Sequence, residues 1–246
     1  MTYLQFHAAL MVPPLVVLGI AAWRAHPALG PRAAWAIWAV PPIALIYTTP
    51  WDNYLVKNGV WFYGIDRVVG TIGYVPIEEY LFFVLQPLLA GALLYVLLAR
   101  DLARHGSAAP PTHPGRVRTI GTTLWLALGI VGLAMLRNDA TRYLGLILVW
   151  FAPVIAAMWL FQGHTMWQVR RAAIPAVVVS TIYLWMADRL ALAEGIWAIS
   201  DRYTIGLAPL GLPVEEATFF LVTTVLSVCG VLLFLLPRIP ELQAHP

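Results

Sequence analysis

Seven long apolar stretches follow one another along the chain, separated by shorter polar segments. A helix needs about 20 predominantly apolar residues to cross the hydrocarbon core of a membrane, whereas a barrel strand needs about 10 of alternating polarity. No stretch alternates with period two, so each predicts a transmembrane helix. The seven predicted helices cover residues 4–22, 34–50, 77–99, 119–136, 142–161, 172–187 and 212–236. The first begins directly after Met1 without a basic segment or cleavage site, so we do not expect a removable signal peptide.

The composition excludes several classes of protein. Of the 246 residues, 61% are hydrophobic and only 11% are charged, whereas about 25% of the residues in a soluble domain are charged. Trp, which occurs 11 times, is enriched at membrane interfaces, and Pro, which occurs 19 times, is tolerated in spanning helices. A soluble globule, a disordered chain and a nucleic-acid-binding protein are therefore excluded. The single cysteine, Cys229, excludes disulfides and cysteine-based metal sites.

The basic residues favour one orientation in the membrane, because Lys and Arg are enriched in cytoplasmic loops. On one side lie Arg24, Arg32, Arg100, Arg104, Arg116, Arg118, Arg170, Arg171 and Arg238. On the other side lie Lys57, Arg67, Arg137, Arg142, Arg189 and Arg202. Among the acidic residues, only Asp101 and Glu241 lie on the first side. We therefore expect the N-terminus outside the cell and the C-terminus in the cytoplasm.

Two parts of the chain resemble each other at a nearly constant offset. The shared elements are an Asp, a Gly-x-Trp segment, an Ile-Gly pair and a Pro-x-Glu-Glu tetrapeptide followed by two Phe. The first copy contains Asp52, Gly59-Val60-Trp61, Ile72-Gly73, Pro76-Ile77-Glu78-Glu79 and Phe82-Phe83. The second copy contains Asp188, Gly195-Ile196-Trp197, Ile205-Gly206, Pro213-Val214-Glu215-Glu216 and Phe219-Phe220. The offset is 136 for Asp52/Asp188 and Trp61/Trp197 and 137 for the Pro-x-Glu-Glu tetrapeptide, which indicates one inserted residue between them.

The repeat predicts the architecture. Helices one to three correspond to helices five to seven, and helix four has no counterpart. Because each repeat has three helices, an odd number, two repeats joined directly would insert in opposite orientations. The extra helix between them gives both repeats the same orientation, so the repeats are parallel. We expect an all-α integral membrane protein with seven transmembrane helices. Its parts are a first repeat (1–99), a basic linker with the connecting helix (100–140), and a second repeat with a short tail (141–246).

The two Glu-Glu pairs are the main candidates for chemistry. A Glu in the first turn of a helix is also typical of a simple capping role, since it complements the positive end of the helix dipole. Ionisable residues at membrane depth are costly, however, and a doubled motif favours a functional site. Two adjacent carboxyls in an apolar surrounding do not both ionise readily, so at least one should stay protonated.

The neighbours of these carboxyls favour acid catalysis on an alkene. Glu79 shares a helix face with Phe82 and Phe83 and, one turn further, with Gln86. The equivalent face around Glu216 carries Phe219, Phe220 and Thr223. A neutral carboxylic acid can protonate a double bond, and aromatic faces can stabilise the resulting carbocation.

Other chemistry has little support in the sequence. There is no G-x-G-x-x-G or P-loop pattern, no D-D-x-x-D cluster for a magnesium diphosphate, and no paired His motif for a metal. The only Lys, Lys57, falls in a predicted loop, so a retinal Schiff base in helix seven is excluded. Asp52, Asp188 and Asp201 also fall in predicted outer loops. We expect salt bridges between these three residues and Arg67, Arg189 and Arg202.

The chain resembles the heterodimer-type carotenoid cyclases of bacteria, archaea and fungi, in their fused form. The resemblance rests on the two Pro-x-Glu-Glu motifs with their paired Phe residues, on Trp51-Asp52 and on Gly59-Val60-Trp61, and it extends to about residue 236. It implies a lycopene β-cyclase, an intramolecular lyase or isomerase that closes ψ end groups into β rings. No net redox change and no flavin are implied, so we expect neither a cofactor nor a metal. Since Asp188-Arg189 replaces Trp51-Asp52-Asn53, we expect the halves to contribute unequally.

The resemblance implies a site and a set of partners. The predicted catalytic residues are Glu78, Glu79, Glu215 and Glu216. The predicted substrate-binding residues are Phe82, Phe83, Phe219, Phe220, Trp61, Trp197 and Gln86. We expect lycopene or a similar carotenoid as substrate, the lipid bilayer as surroundings, association with other carotenoid enzymes, and no nucleic acid. The sequence leaves four alternatives open: a cyclase for C50 carotenoids, an ε-ring former, a carotenoid hydratase, and a non-catalytic carotenoid-binding protein.

Overall fold

The computed structural model describes residues 1–31 and 33–236. Arg32, Arg238 and Glu241, which entered the comparison of charges, lie outside these residues. The described chain contains seven long helical segments. They are α1 (Tyr3–Leu29), α2 (Ala33–Lys57), α3 (Ile77–His105), α4 (Pro114–Met135), α5 (Arg142–Gln168), α6 (Arg170–Ala193) and α7 (Val214–Leu235).

All seven predicted helices are confirmed, and the protein is an all-α, multi-pass membrane protein. Within the described residues, six helices are long and apolar enough to cross a membrane. The remaining one, α2, has 25 residues and contains Pro41, Pro42 and Pro50. Several helices extend beyond the apolar stretches that predicted them. As a result, the segment between the third and fourth predicted helices, residues 100–118, shortens to 106–113, and Lys57 ends α2 instead of lying in a loop.

α1 is not a uniform helix. It passes from an α-helical turn (Tyr3–Phe6) through a π-helical turn (His7–Met11) to a longer α-helix (Val12–Ala25) and a final 3-10 turn. Pro13 and Pro14 explain the irregularity, because neither has an N–H for the carbonyl one turn earlier. The carbonyl of Leu10, four residues before Pro14, accepts a hydrogen bond from the Tyr183 hydroxyl of α6. The irregular turn thus ties α1 to α6.

Short strands join the loops that follow α2 and α6. In the described part of the chain they are β1 (Trp61–Tyr63), β2 (Thr71–Ile72), β3 (Val75–Pro76) and β4 (Trp197–Ile199). β1 and β4 pair antiparallel, with Trp61 opposite Ile199 and Tyr63 opposite Trp197. β2 and β3 form a hairpin. The apolar pattern predicts none of these strands, because they are short and lie between the spans.

α3 and α7 lie at the centre of the bundle. α3 contacts α1, α2, α6 and α7, and α7 also contacts α2, α5 and α6. Apolar side chains such as Leu94, Leu98, Val231 and Leu232 are buried between these helices. α4 lies at the periphery and packs mainly against α5.

Glycines allow the close approach of α4 and α5, as small residues commonly do between membrane helices. A Cβ on Gly132 would lie 2.7 Å from the Cβ of Leu148 and 3.0 Å from the carbonyl oxygen of Gly145. A Cβ on Gly129, one turn earlier, would come no closer than 3.7 Å to Pro153. The two positions therefore differ in how much space a methyl group would find.

We predict that Gly132→Ala lowers the melting temperature of the detergent-solubilised protein, because overpacking costs about 1–3 kcal/mol. Gly129→Ala is the matched control and should leave the melting temperature unchanged or raise it, since Ala favours a helix by about 1 kcal/mol over Gly. Tryptophan fluorescence during heating measures both. Equal melting temperatures for the two variants would contradict the packing described here.

Candidate active site

Both Glu-Glu pairs lie in the first turn of a central helix. Pro76 precedes α3 with φ −59° and ψ 149°, and Pro213 precedes α7 with φ −56° and ψ 140°. The proline ring fixes φ near these values, so each proline ends the extended loop and starts the helix at a defined residue. The carboxyl groups then lie at the positive end of the helix dipole.

The first Glu of each pair holds a loop. Glu78 Oε1 accepts a hydrogen bond from the backbone N–H of Val69 at 2.8 Å. Glu215 Oε1 accepts the corresponding bond from the N–H of Ile205 at 2.7 Å. Val69 and Ile205 are 136 residues apart, so the same contact occurs in both halves of the chain.

The second Glu of each pair is held by tyrosine hydroxyls. Glu79 Oε2 accepts hydrogen bonds from Tyr3 at 2.7 Å and from Tyr63 at 3.2 Å. Glu216 Oε1 accepts one from Tyr143 at 2.5 Å. The two Glu side chains are only 4% and 2% exposed. Burial and the neighbouring Glu79 raise the pKa of the Tyr63 hydroxyl well above its usual value, so this hydroxyl stays protonated and donates.

Glu79 and Glu216 meet at one cavity, which Asp188 also lines. Its volume of about 20 Å³ has room for about one water molecule. Five of the predicted substrate-binding residues line it, namely Phe82, Phe219, Phe220, Trp61 and Trp197. Its remaining wall includes Tyr3, Phe6 and Tyr63, which the sequence analysis did not single out.

The other predicted site residues do not line this cavity. Glu78 and Glu215 contact the loops, and Phe83 packs edge-on against Tyr80 with ring centroids 6.0 Å apart. Gln86 Nε2 lies 3.3 Å and 3.4 Å from the hydroxyls of Thr223 and Thr224. Gln86 therefore joins α3 to α7 inside the bundle.

The expectation of salt bridges at Asp52 and Asp188 is wrong. Both lie within helices, α2 and α6, and are 0% and 1% exposed. Asp188 Oδ1 accepts a hydrogen bond from the indole N–H of Trp197 at 2.9 Å. No described residue donates to Asp188 Oδ2 or to either oxygen of Asp52. The apolar stretches that predicted α2 and α6 end before these residues, although the helices continue, which is why both were assigned to loops.

The proposed arginine partners make other contacts. Arg202 forms a two-pronged hydrogen bond with Asp139, at 3.0 Å and 2.8 Å. Arg67 donates to the carbonyl oxygen of Met1 at 2.9 Å. Asp201 is exposed, and among the described residues neither it nor Arg189 takes part in an ion pair.

Aromatic rings surround the carboxyl groups. Trp51 stacks on Phe219 with centroids 5.6 Å apart and an interplanar angle of 6°. Trp61 meets Phe219 edge to face at 5.7 Å, and Phe82 meets Phe220 in the same way at 6.0 Å. Such rings present negative faces that attract cations. Two buried carboxyls and these faces can therefore add a proton to an apolar substrate, stabilise the cation and remove a proton from it.

His7 supports this wall and does not point to a metal site. Its Nε2 lies 2.8 Å from the carbonyl oxygen of Glu78, and its ring stacks on Tyr3 at 4.6 Å. Over the described residues, no group of three or more His, Cys, Asp or Glu side chains is arranged to hold a metal ion.

Tyr3 and Tyr143 could have been found from one sequence signal. Tyr3 precedes Pro13 by ten residues, and Tyr143 precedes Pro153 by ten, in the first helix of each half. Tyr63 has no such signal, because its counterpart at the offset of 136 is Ile199.

Comparisons with known proteins identify the family of this chain. The family model described as lycopene cyclase matches residues 1–97 and 120–235. A lycopene beta-cyclase of Halobacterium salinarum is 43% identical over 234 residues, which cover 95% of each chain. A bifunctional lycopene cyclase/phytoene synthase of Podospora anserina is 34% identical over 200 residues, or 78% of this chain and 34% of that protein.

A second bifunctional relative, from Arthroderma gypseum, is 31% identical over 93% of this chain and 40% of its own length. No solved structure matches this chain. The resemblance inferred from the doubled Pro-x-Glu-Glu motif is confirmed by these matches, which cover both halves. The chain belongs to the lycopene cyclase family.

Proposed function

We propose that this protein is a lycopene β-cyclase, an isomerase that closes the ψ end groups of lycopene into β rings. The observation that carries the proposal is the meeting of Glu79 and Glu216 at one aromatic cavity. The name of the Halobacterium relative, lycopene beta-cyclase, supports the same substrate and product.

The reaction needs an acid and a base. A carboxylic acid protonates C2 of the ψ end, which leaves a tertiary cation at C1. The electrons of the C5=C6 bond form the C1–C6 bond, and the positive charge moves to C5. A carboxylate then removes the C6 proton, and the electrons of that C–H bond restore the C5=C6 double bond. One proton enters and one leaves, so Glu79 and Glu216 supply all the proton transfers and no electron acceptor is needed.

The aromatic wall would stabilise the intermediate cations. Phe82, Phe219 and Trp61 place ring faces and edges around the carboxyl groups. A cavity with room for about one water molecule favours internal capture of the cation by the alkene over capture by water. The enzyme would thus form a ring where a wetter site would give a hydrated product.

Two parallel repeats would supply the two halves of this site, with the boundaries 1–99, 100–140 and 141–246. The pairing of β1 with β4 supports the repeat, because the two strands are equivalent segments of the two halves, residues 61–63 and 197–199. They pair antiparallel, and the equivalent residues Phe62 and Ala198 lie opposite each other at the middle of the pair. In this repeat α1 is equivalent to α5, α2 to α6 and α3 to α7. The contact of α1 with α3 therefore matches that of α5 with α7, and the contact of α6 with α3 matches that of α2 with α7.

The orientation with the N-terminus outside and the C-terminus in the cytoplasm is part of the proposal. Arg24, Arg100 and Arg104 lie at one end of the helices, opposite the end that carries the carboxyl groups. The excess of Arg at that end supports a cytoplasmic location for it. The active site would then lie near the outer face, with access to carotenoids in the bilayer and contact with other carotenoid enzymes there.

Expression in cells that accumulate lycopene should convert the red pigment to orange-yellow β-carotene. Liquid chromatography with absorbance detection identifies the products. A strain that carries the empty vector is the control. Unchanged lycopene, with the protein present in the membrane, would contradict the proposed function.

Glu79→Gln and Glu216→Gln should each lower the rate of ring formation at least about 100-fold, because each removes an acid or base. Glu78→Gln and Glu215→Gln should keep most of the activity, since the amide oxygen can still accept the loop hydrogen bond. Asp66→Asn, at an exposed position with φ 58° that Asn tolerates, is the acid-to-amide control. If either cavity variant retained half of the activity, a shared site would be excluded.

Monocyclic γ-carotene should accumulate transiently and be released at high lycopene concentration. Lycopene is about as long as the hydrocarbon core is thick, roughly 30 Å, so a single cavity near one face reaches only one end group at a time. A time course of purified enzyme in vesicles measures the intermediate. β-Carotene formed without free γ-carotene would indicate two sites at opposite faces.

A further inference from the structure

The two glutamates that meet at the cavity receive different numbers of hydrogen bonds. Two hydroxyls, from Tyr3 and Tyr63, donate to the same oxygen of Glu79, at 2.7 Å and 3.2 Å. Glu216 receives one hydroxyl bond, from Tyr143 at 2.5 Å. The difference comes from β1 and β4, because Ile199 occupies the position that corresponds to Tyr63.

The extra donor favours the ionised form of Glu79. A hydrogen bond to a carboxylate stabilises the anion more than the neutral acid. Of the two glutamates, Glu79 is therefore the better carboxylate and Glu216 the better carboxylic acid.

The aspartates add to this difference. Asp188 lines the cavity with Glu216, and its Oδ1 accepts a hydrogen bond from the indole N–H of Trp197 at 2.9 Å. Two neighbouring carboxyls in an apolar surrounding do not both ionise readily, so any charge on Asp188 holds the proton on Glu216. The counterpart, Asp52, receives no hydrogen bond from any described residue, so it lacks the donor that Trp197 provides to Asp188.

We propose that Glu216 is the acid that protonates C2 and that Glu79 is the base that removes the C6 proton, with Tyr63 as the residue that positions and stabilises Glu79 as a base. This assignment rests on the proposed function. The C2–H bond forms with the proton of Glu216, and the C6–H bond breaks as its proton passes to Glu79. A proton then returns from Glu79 to Glu216 before the next ring closes.

The assignment gives the two glutamates separable effects on the product. Once the C1–C6 bond has formed, loss of the C6 proton gives a β ring, whereas loss of a C4 proton gives an ε ring. The base acts at this branch point, and the acid has acted before it. Changes around Glu79 should therefore alter the type of ring, and changes around Glu216 should alter only the rate.

Tyr63→Phe and Tyr143→Phe test this assignment as a matched pair, because each removes one hydroxyl donor from one glutamate. Both are assayed in vesicles with lycopene and with lycopene deuterated at C6, and the rings are identified by chromatography. Each variant should lose about tenfold in rate, as expected for one hydrogen bond to a charged group. Tyr63→Phe should also form ε rings and show a primary isotope effect at C6. Tyr143→Phe should form only β rings, with no isotope effect from C6 but a slower reaction in D₂O.

Glu79→Asp and Glu216→Asp provide a second test. Each variant keeps the carboxyl group but moves it away from the cavity by the length of one methylene. Glu79→Asp should shift the product toward ε rings, whereas Glu216→Asp should slow formation of β rings. Melting temperatures identify any variant that fails to fold. If one of the two matched pairs is lost in this way, the other pair still tests the assignment. The assignment is overturned if the Glu216 side alters ring type, or if both sides behave alike. Wild-type protein that closes no ring would instead contradict the proposed function itself.

Discussion

The burial of carboxyl groups inside a membrane protein is the constraint on which the rest of this structure depends. Such groups are costly at membrane depth unless hydrogen bonds replace the contacts with water. Tyr3 precedes Glu79 by 76 residues, and Tyr143 precedes Glu216 by 73. The first helix of each half must therefore reach the start of α3 or α7, and this requirement determines how the helices pack at the cavity end of the bundle.

The number of helices could be predicted from the sequence because the cost of placing a residue in lipid depends mainly on that residue. The ends of α2 and α6 could not, since the polar residues Asp52 and Asp188 are buried inside the protein there. Asp52 and Asp188 lie in these last turns, where a polar residue looks like the start of a loop. Their burial depends on contacts between the halves, which local hydropathy does not contain.

The Glu-Glu pairs were recognised from the sequence, but the difference between their members was not. Successive residues of a helix point about 100° apart, so Glu78 faces the loop while Glu79 faces the cavity. A doubled motif marks both residues equally. The contribution of Tyr63 was also hidden, because it depends on the pairing of β1 with β4, two strands of three residues each.

The small size of the cavity bears on how tightly a carotenoid can bind. A six-membered ring with its methyl groups is far larger than a space with room for about one water molecule, so side chains that line the cavity must move before an end group enters. The apparent dissociation constant then equals the intrinsic one divided by the fraction of molecules in the open state. A substitution remote from the carboxyl groups can thus change the apparent affinity simply by altering how often the cavity opens.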